Sequence, residues 1–262
     1  MIIEKIWTAN AYRNFNYLIV CPETGEALAI DPNDHKKCLE IAKKNQWNIT
    51  KIFNTHEHWD HIEGNDAVVS QTSAKIIAHR NAKDKIPNID ISVDHGDIIK
   101  VGKTVILECL DTPGHTMSHI SLLSRTETPA LFSGDALFNA GAGNCHFGGD
   151  PHALFKTFSM QFTNLPHKTK IYPGHDYFIN NLKFTIDREP NNESAKNMLE
   201  KHQHDDPIEI ATTIEDEMKF NVFFRLQNHE IIDRLKVSFP DLDPNPSPET
   251  VFLKLRELRN DW

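Results

Sequence analysis

The chain has 262 residues, 28 basic against 37 acidic side chains for a formal charge of -9, and is 39% hydrophobic and 25% charged. That length buries a full core in one large domain or in a main domain with an appendage, and the composition excludes a disordered or fibrous chain. The acidic balance excludes a nucleic-acid partner, which needs a basic footprint. No apolar run of about twenty residues and no basic-then-apolar leader occurs, so no membrane partner and a cytoplasmic location are expected.

In chain order, residues 17–20 and 27–30 read as strands flanking the turn residues Pro22 to Gly25, a hairpin. Residues 34–46 have helical spacing, and the apolar run 49–53 is a strand that leads into T-H-E-H-W-D-H. His56, His58, Asp60 and His61 put four metal-ligand side chains within six positions. Three histidines and an aspartate so close together repel when protonated and lack partners when buried, which points to a bound cation. The spacing is not the i, i+4 pair of a helical metal site, so a loop just past a strand end is expected.

Further strands are expected at 75–78, 97–100, 104–110, 120–123, 130–132 and 170–172, with one helix at 151–162 capped by Asp150 and begun by Pro151. Three of these strands lead straight into possible ligands: His115 and His119 after 104–110, Asp135 after 130–132, and His175 after 170–172. Beyond 177 the strand signals stop and helices are expected at 179–186, 193–202, 214–220, 229–237 and 248–260, a second, helical domain. Ser247, Pro248 and Glu249 mark the start of the last. On it Arg256 and Arg259 share a face and could together grip a carboxylate; from the residues alone a solvated basic edge is the plainer reading. Cys21, Cys38, Cys109 and Cys145 form no C-x-x-C pair and are expected as reduced thiols.

In this order the segments resemble the metallo-β-lactamase superfamily, whose motifs run H-x-H-x-D-H, then His, then Asp, then His. The resemblance implies an α/β fold, an αββα sandwich of two mixed sheets, and two divalent metal ions, zinc first, with iron or manganese able to use the same donors. It implies that His56, His58 and His115 hold one ion, Asp60, His61 and His175 the other, and Asp135 bridges them. His119 stands outside that ligand set and is expected to support it, as is Asp31 at the end of its strand.

A closer resemblance, over nearly the whole chain, is to the hydroxyacylglutathione hydrolases (glyoxalase II). Residues 174–184 resemble G-H-E-Y-x-x-N-N-L-K-F, residues 221–225 resemble N-P-F-x-R with Val222 for proline, and residues 255–262 resemble L-R-x-x-K-D-x-F. The resemblance implies a catalytic domain over 1–176, a helical substrate-binding domain over 177–262, and cleavage of S-D-lactoylglutathione to D-lactate and glutathione by a metal-bridging hydroxide. Arg256 and Arg259 then meet the glycine carboxylate of glutathione, and Tyr177 its peptide part. Asp60, besides binding metal, is expected to orient the water and take its proton. Where the family has G-C-G-K/R-x-Y/F-E-G-T, this chain has Asn144 in place of the base and His146 or Phe147 in place of the aromatic residue. A neutral amide cannot make a charge-assisted bond, so weaker or altered glutathione contact is expected, and a different thioester stays open. The rival reading is a mononuclear iron enzyme like the glutathione persulfide dioxygenases, which share much of the ligand set but lack the helical tail. The partner expected is a small molecule, and a monomer is favoured.

Overall fold

The computed structural model describes residues 1–262. In chain order its strands and helices are β1 (Ile2–Trp7), β2 (Phe15–Val20), β3 (Glu26–Ile30), α1 (His35–Lys44), β4 (Asn48–Asn54), α2 (Trp59–Ile62), α3 (Asn65–Thr72), β5 (Lys75–His79), β6 (Ile91–Val93), β7 (Ile98–Val101), β8 (Val105–Asp111), β9 (Ile120–Ser124), β10 (Ala130–Gly134), β11 (Leu137–Phe138), β12 (Gly141–Ala142), α4 (Pro151–Met160), β13 (Lys170–Pro173), α5 (Phe178–Arg188), α6 (Glu193–His202), β14 (Thr212–Thr213), α7 (Ile214–Phe220), α8 (His229–Ser238) and α9 (Pro248–Asn260). The contacts divide into two units, one of Met1–Thr112, Ser118–Asp135 and Tyr172–Asp176, the other of Pro113–Met117, Ala136–Ile171 and Tyr177–Trp262.

The first unit is built on two sheets. One runs β1-β2-β3-β4-β5-β6, antiparallel as far as β3 and parallel beyond it. The other carries β13-β10-β9-β8-β7. Alternation along β2 shows why both faces of the first sheet are covered. Phe15, Tyr17 and Ile19 join Leu107, Cys109, Leu122 and Phe132 of the opposing sheet in one core. Leu18 and Val20 join Cys38 and Ala42 of α1 and Val68 of α3 in another. A strand buried on both faces reads as a continuous apolar run, and each such side chain contributes roughly 1.5–3 kcal/mol.

The second unit is mainly helical. Phe158 of α4 stands 5.3 Å from the ring of Phe252 on α9 and 5.2 Å from Phe162. Phe178 and Leu182 of α5 share a core with Ala195 and Phe220. Helix starts follow the capping rules: the Ser247 hydroxyl accepts from Thr250 N, and Thr213 with Asp216 forms a capping box for α7. The expected absence of strands after 177 is corrected by β14, two residues that pair with Lys170 and Ile171. No helix is long and apolar enough to cross a membrane.

Candidate metal centre

The ligand-type residues of the first unit follow strand ends. Asp31 follows β3, His56 follows β4 by two residues, Asp135 follows β10 and His175 follows β13. The expectation that the H-x-H-x-D-H stretch is all loop is corrected. His58 caps the one-turn helix α2, which carries Asp60 and His61. Two glycines make the convergence possible. A Cβ on Gly174 would lie 2.2 Å from Asp135 Oδ1, and one on Gly134, whose φ is +48°, would lie 2.7 Å from His119 Nε2 and Thr55 Oγ1. Only glycine fits such close approaches.

Hydrogen bonds at Nδ1 decide what the imidazoles present. His61 Nδ1 donates to Asp31 Oδ2 at 2.9 Å. His175 Nδ1 donates to Tyr12 O at 2.7 Å. Thr55 Oγ1 donates to Asp31 Oδ2 at 2.7 Å, so it accepts from His56 Nδ1 at 3.0 Å. Each of these rings therefore offers an unprotonated Nε2 when neutral, the arrangement in which an acceptor on one ring nitrogen prepares the other for a metal. Asp31 is the hub: it also accepts from Thr55 N at 2.8 Å, and it holds a left-handed φ of +46°, a conformation aspartate tolerates better than most residues.

The prepared nitrogens face one another. His61 Nε2 and His175 Nε2 are 3.2 Å apart, and His56 Nε2 is 3.0 Å from His58 Nδ1. Two ligands about 2.05 Å from one tetrahedral ion stand roughly 3.3 Å apart, so the donor set fits a divalent cation. Asp60 Oδ2 lies 3.5 Å from His175 Nε2 and 3.6 Å from His61 Nε2. Asp135 Oδ2 lies 3.1 Å from His175 Nε2, and its Oδ1 lies 3.6 Å from His61 Nε2. Asn14 Nδ2 holds Asp60 Oδ2 at 3.1 Å. His119 is tied differently, its Nε2 accepting from Asp135 N at 3.1 Å and its Nδ1 donating to Thr112 Oγ1 at 2.8 Å. Both of its nitrogens are occupied by protein, which suits the supporting role expected of it.

Electrostatics agree with the need for a cation. Burial would lower the His61 imidazole, but the carboxylates of Asp135 and Asp31 hold it well above its ordinary value. Burial would raise Asp135, but the imidazoles of His175 and His61 hold it well below the usual carboxylate range.

Sequence reading missed Asn14, Tyr12 and Asn54. Tyr12 acts through a carbonyl, which no residue pattern reports. Asn54 donates to His61 O at 3.0 Å and exchanges bonds with Asn65; a polar residue closing an apolar strand was the available signal. Arg13 clips the same segment, bonding the carboxylate of Asp176 and its carbonyl.

In the second unit His115 sits buried in the segment Pro113–Met117, and its Nδ1 donates to Asn144 O at 2.7 Å. A cavity of about 320 Å³ is lined by Phe138, Asn144, His146, Tyr177, Arg256 and Arg259, among others, which brings together all five residues expected to meet substrate. Arg256 is only 4% exposed, so the solvated-edge reading of the residues alone is corrected for it. Burial, with Arg259 beside it, lowers its guanidinium to about 9. Arg259 donates to Asn181 Oδ1 at 3.0 Å, and the Asn144 side chain accepts from His146 N at 3.2 Å.

Comparison with known proteins matches residues 20–175 to the Metallo-beta-lactamase superfamily and residues 176–262 to the Hydroxyacylglutathione hydrolase C-terminus. The chain is 59% identical to the hydroxyacylglutathione hydrolase of Nitrosococcus oceani and 61% identical to that of a Polaromonas species, each alignment covering 100% of both chains. Among solved structures, ETHE1 from Myxococcus xanthus is similar with a TM-score of 0.69 at 26% identity, covering 99% of this chain and 98% of that one. The chain belongs to the hydroxyacylglutathione hydrolase family of the metallo-beta-lactamase superfamily.

Proposed function

We propose that the chain is a metal-dependent thioester hydrolase that cleaves S-D-lactoylglutathione, and related 2-hydroxyacyl-glutathiones, to the hydroxy acid and glutathione. The observation that carries this reading is full-length identity of 59–61% to hydroxyacylglutathione hydrolases, tail included. The Nδ1-anchored histidines support the metal dependence. Two ions, zinc foremost, are proposed, with His56, His58 and His115 on one, Asp60, His61 and His175 on the other, and Asp135 between. The division at 176/177 into catalytic and substrate-binding segments is proposed with it, as are a cytoplasmic location and a small-molecule partner alone.

A bound divalent cation supplies Lewis acidity that makes water a nucleophile near neutral pH and polarises the thioester carbonyl. Asp60, held through Oδ2 by Asn14, accepts the proton of the attacking water. As the water oxygen bonds the carbonyl carbon, the C–S bond breaks and glutathione leaves as thiolate. A thiol of ordinary pKa about 8.5 needs no strong acid to depart. In the second unit, Arg259 and Arg256 give the cavity the positive charge that glutathione's glycine carboxylate requires, and Tyr177 meets the peptide. Asn144 leaves one charge-assisted contact out.

A thiol-release assay on purified, metal-loaded protein with acyl-glutathiones and acyl-CoA compounds, run beside oxygen uptake with a glutathione persulfide, tests the reading. Release from S-D-lactoylglutathione well above release from acyl-CoA is expected. Oxygen uptake without thiol release would establish the dioxygenase chemistry instead, and preference for acyl-CoA a different thioesterase. Near-normal turnover by Asp60→Asn at full metal occupancy would remove the proton-accepting role.

A further inference from the structure

The loop 139–144 is held almost peptide by peptide by side chains of the C-terminal helices and the turns between them. Asn139 O accepts from Asn181 Nδ2 at 3.0 Å. Ala140 N donates to the Glu217 carboxylate at 2.9 Å, and Gly141 O accepts from Asn221 Nδ2 at 3.2 Å. Arg256 Nη1 then takes the next two carbonyls, Ala142 O at 2.7 Å and Gly143 O at 3.2 Å. The following carbonyl, Asn144 O, is the acceptor for His115 Nδ1. A cavity that only had to bind a substrate carboxylate would turn both arginines outward. Arg256 instead is buried, spends Nη1 on backbone, directs Nε and Nη2 at Asn260 Oδ1, and lies 5.6 Å from the Phe223 ring centroid.

We infer that Arg256 is a positioning residue for the metal site: by locking the backbone at 142 and 143 it fixes the Asn144 carbonyl that sets the tautomer and ring plane of His115. The inference rests on the reading that His115 is a metal ligand. A ligating histidine whose other nitrogen loses its acceptor binds metal less well, typically by 10–100-fold. Arg256 therefore acts on the metal before any substrate arrives, whatever it also does for glutathione. Lysine cannot substitute fully, because one ammonium cannot span two carbonyls and an amide oxygen with a planar fork.

The test is zinc affinity of the full chain without substrate, by competition with a chromophoric chelator, for the wild type, Arg256→Met, Arg256→Lys and His115→Ala. Arg256→Met is expected to weaken, by about 10–100-fold, the binding of the zinc equivalent that His115→Ala loses and to lower kcat as well as raise KM; Arg256→Lys should recover part of both. Should Arg256→Met fail to fold, Arg256→Lys carries the test alone, with a smaller loss of zinc affinity and the same kcat component expected. Zinc affinity equal to wild type with only KM raised, in whichever variant folds, would overturn the inference and leave Arg256 a substrate contact. If His115→Ala keeps the wild-type zinc affinity and stoichiometry, the ligand reading of His115 is what fails, and the positioning role falls with it.

Discussion

The histidines at the strand ends and the loop at 139–144 are fixed by opposite means. In the first region acceptors fixed by the backbone hold side chains: Asp31 and the Tyr12 carbonyl take the Nδ1 protons of His61 and His175. In the second region side chains hold backbone: Asn181, Glu217, Asn221 and Arg256 take successive peptide groups. A site that must present nitrogens at about 3 Å spacing is built on rigid strand ends. A hairpin with a ladder of just two residue pairs, β11 with β12, borrows further partners from buried polar residues, because unpaired buried peptide groups are costly.

Variants that strike one region and spare the other break this comparison. The largest effect is expected for Asp135→Ala, which removes the carboxylate facing both His61 and His175; kcat/KM should fall by about 1000-fold or more, roughly 4 kcal/mol of transition-state stabilisation, with metal content falling alongside. Activity within tenfold of wild type would show that Asp135 is no ligand. Asp31→Asn comes next. Asparagine tolerates the left-handed backbone but puts an NH2 donor where one accepting oxygen was, so either Thr55 N or the pair Thr55 Oγ1 and His61 Nδ1 loses its acceptor, and metal affinity should drop about 10–100-fold while the fold persists.

Glu217 probes the other region through pH. It is fully buried, and burial raises it to about 8 despite its donors Thr212, Asn221 and Ala140. A carboxyl whose folded pKa exceeds its unfolded value stabilises fully below the unfolded value and loses that contribution as pH rises through the folded one. The thermal midpoint should therefore decline between about pH 4.5 and 8, and Glu217→Gln should flatten that slope. An identical slope in the variant would show that Glu217 is not the group responsible. The smallest effect is expected for Asn144→Lys, which restores a base in the substrate cavity. A charge-assisted bond gains about 1 kcal/mol over a neutral one, roughly fivefold in KM for acyl-glutathiones; an unchanged or higher KM would mean that this position does not reach the substrate.

The same contrast explains what was legible in the sequence. Elements with their own caps and periodicity were read to the residue: α6 and α7 match their expected ranges, and α9 begins where Ser247 and Pro248 announce it. Missed were β1, β6, α3 and the two-residue strands β11, β12 and β14. In α3, N-D-A-V-V-S-Q-T offers no apolar stripe, and its place is set by Val68 packing into the core under the first sheet. β14 exists because Lys170 and Ile171, distant in sequence, pair with it, which is tertiary information; β11 and β12 form a hairpin with each other too short to give a period-2 pattern. The ligand-type side chains were legible because side chains carry their chemistry. The Tyr12 and Asn144 carbonyls that orient two of them were not, since any residue supplies a carbonyl. Asn181 and Asn221 stood in the motif-like runs 174–184 and 221–225 without a role attached, and Glu217 left no pattern beyond a polar residue set among apolar ones.

The most direct test of the central claim, metal-assisted attack of water on a glutathione thioester, is turnover of S-D-lactoylglutathione by the metal-loaded chain in water enriched in oxygen-18. One labelled oxygen in the lactate carboxylate, an equal yield of free glutathione thiol and no oxygen consumption are expected, with label incorporation and thiol release both abolished by Asp135→Ala. Unlabelled lactate, or no thiol released at full metal occupancy, would contradict the account.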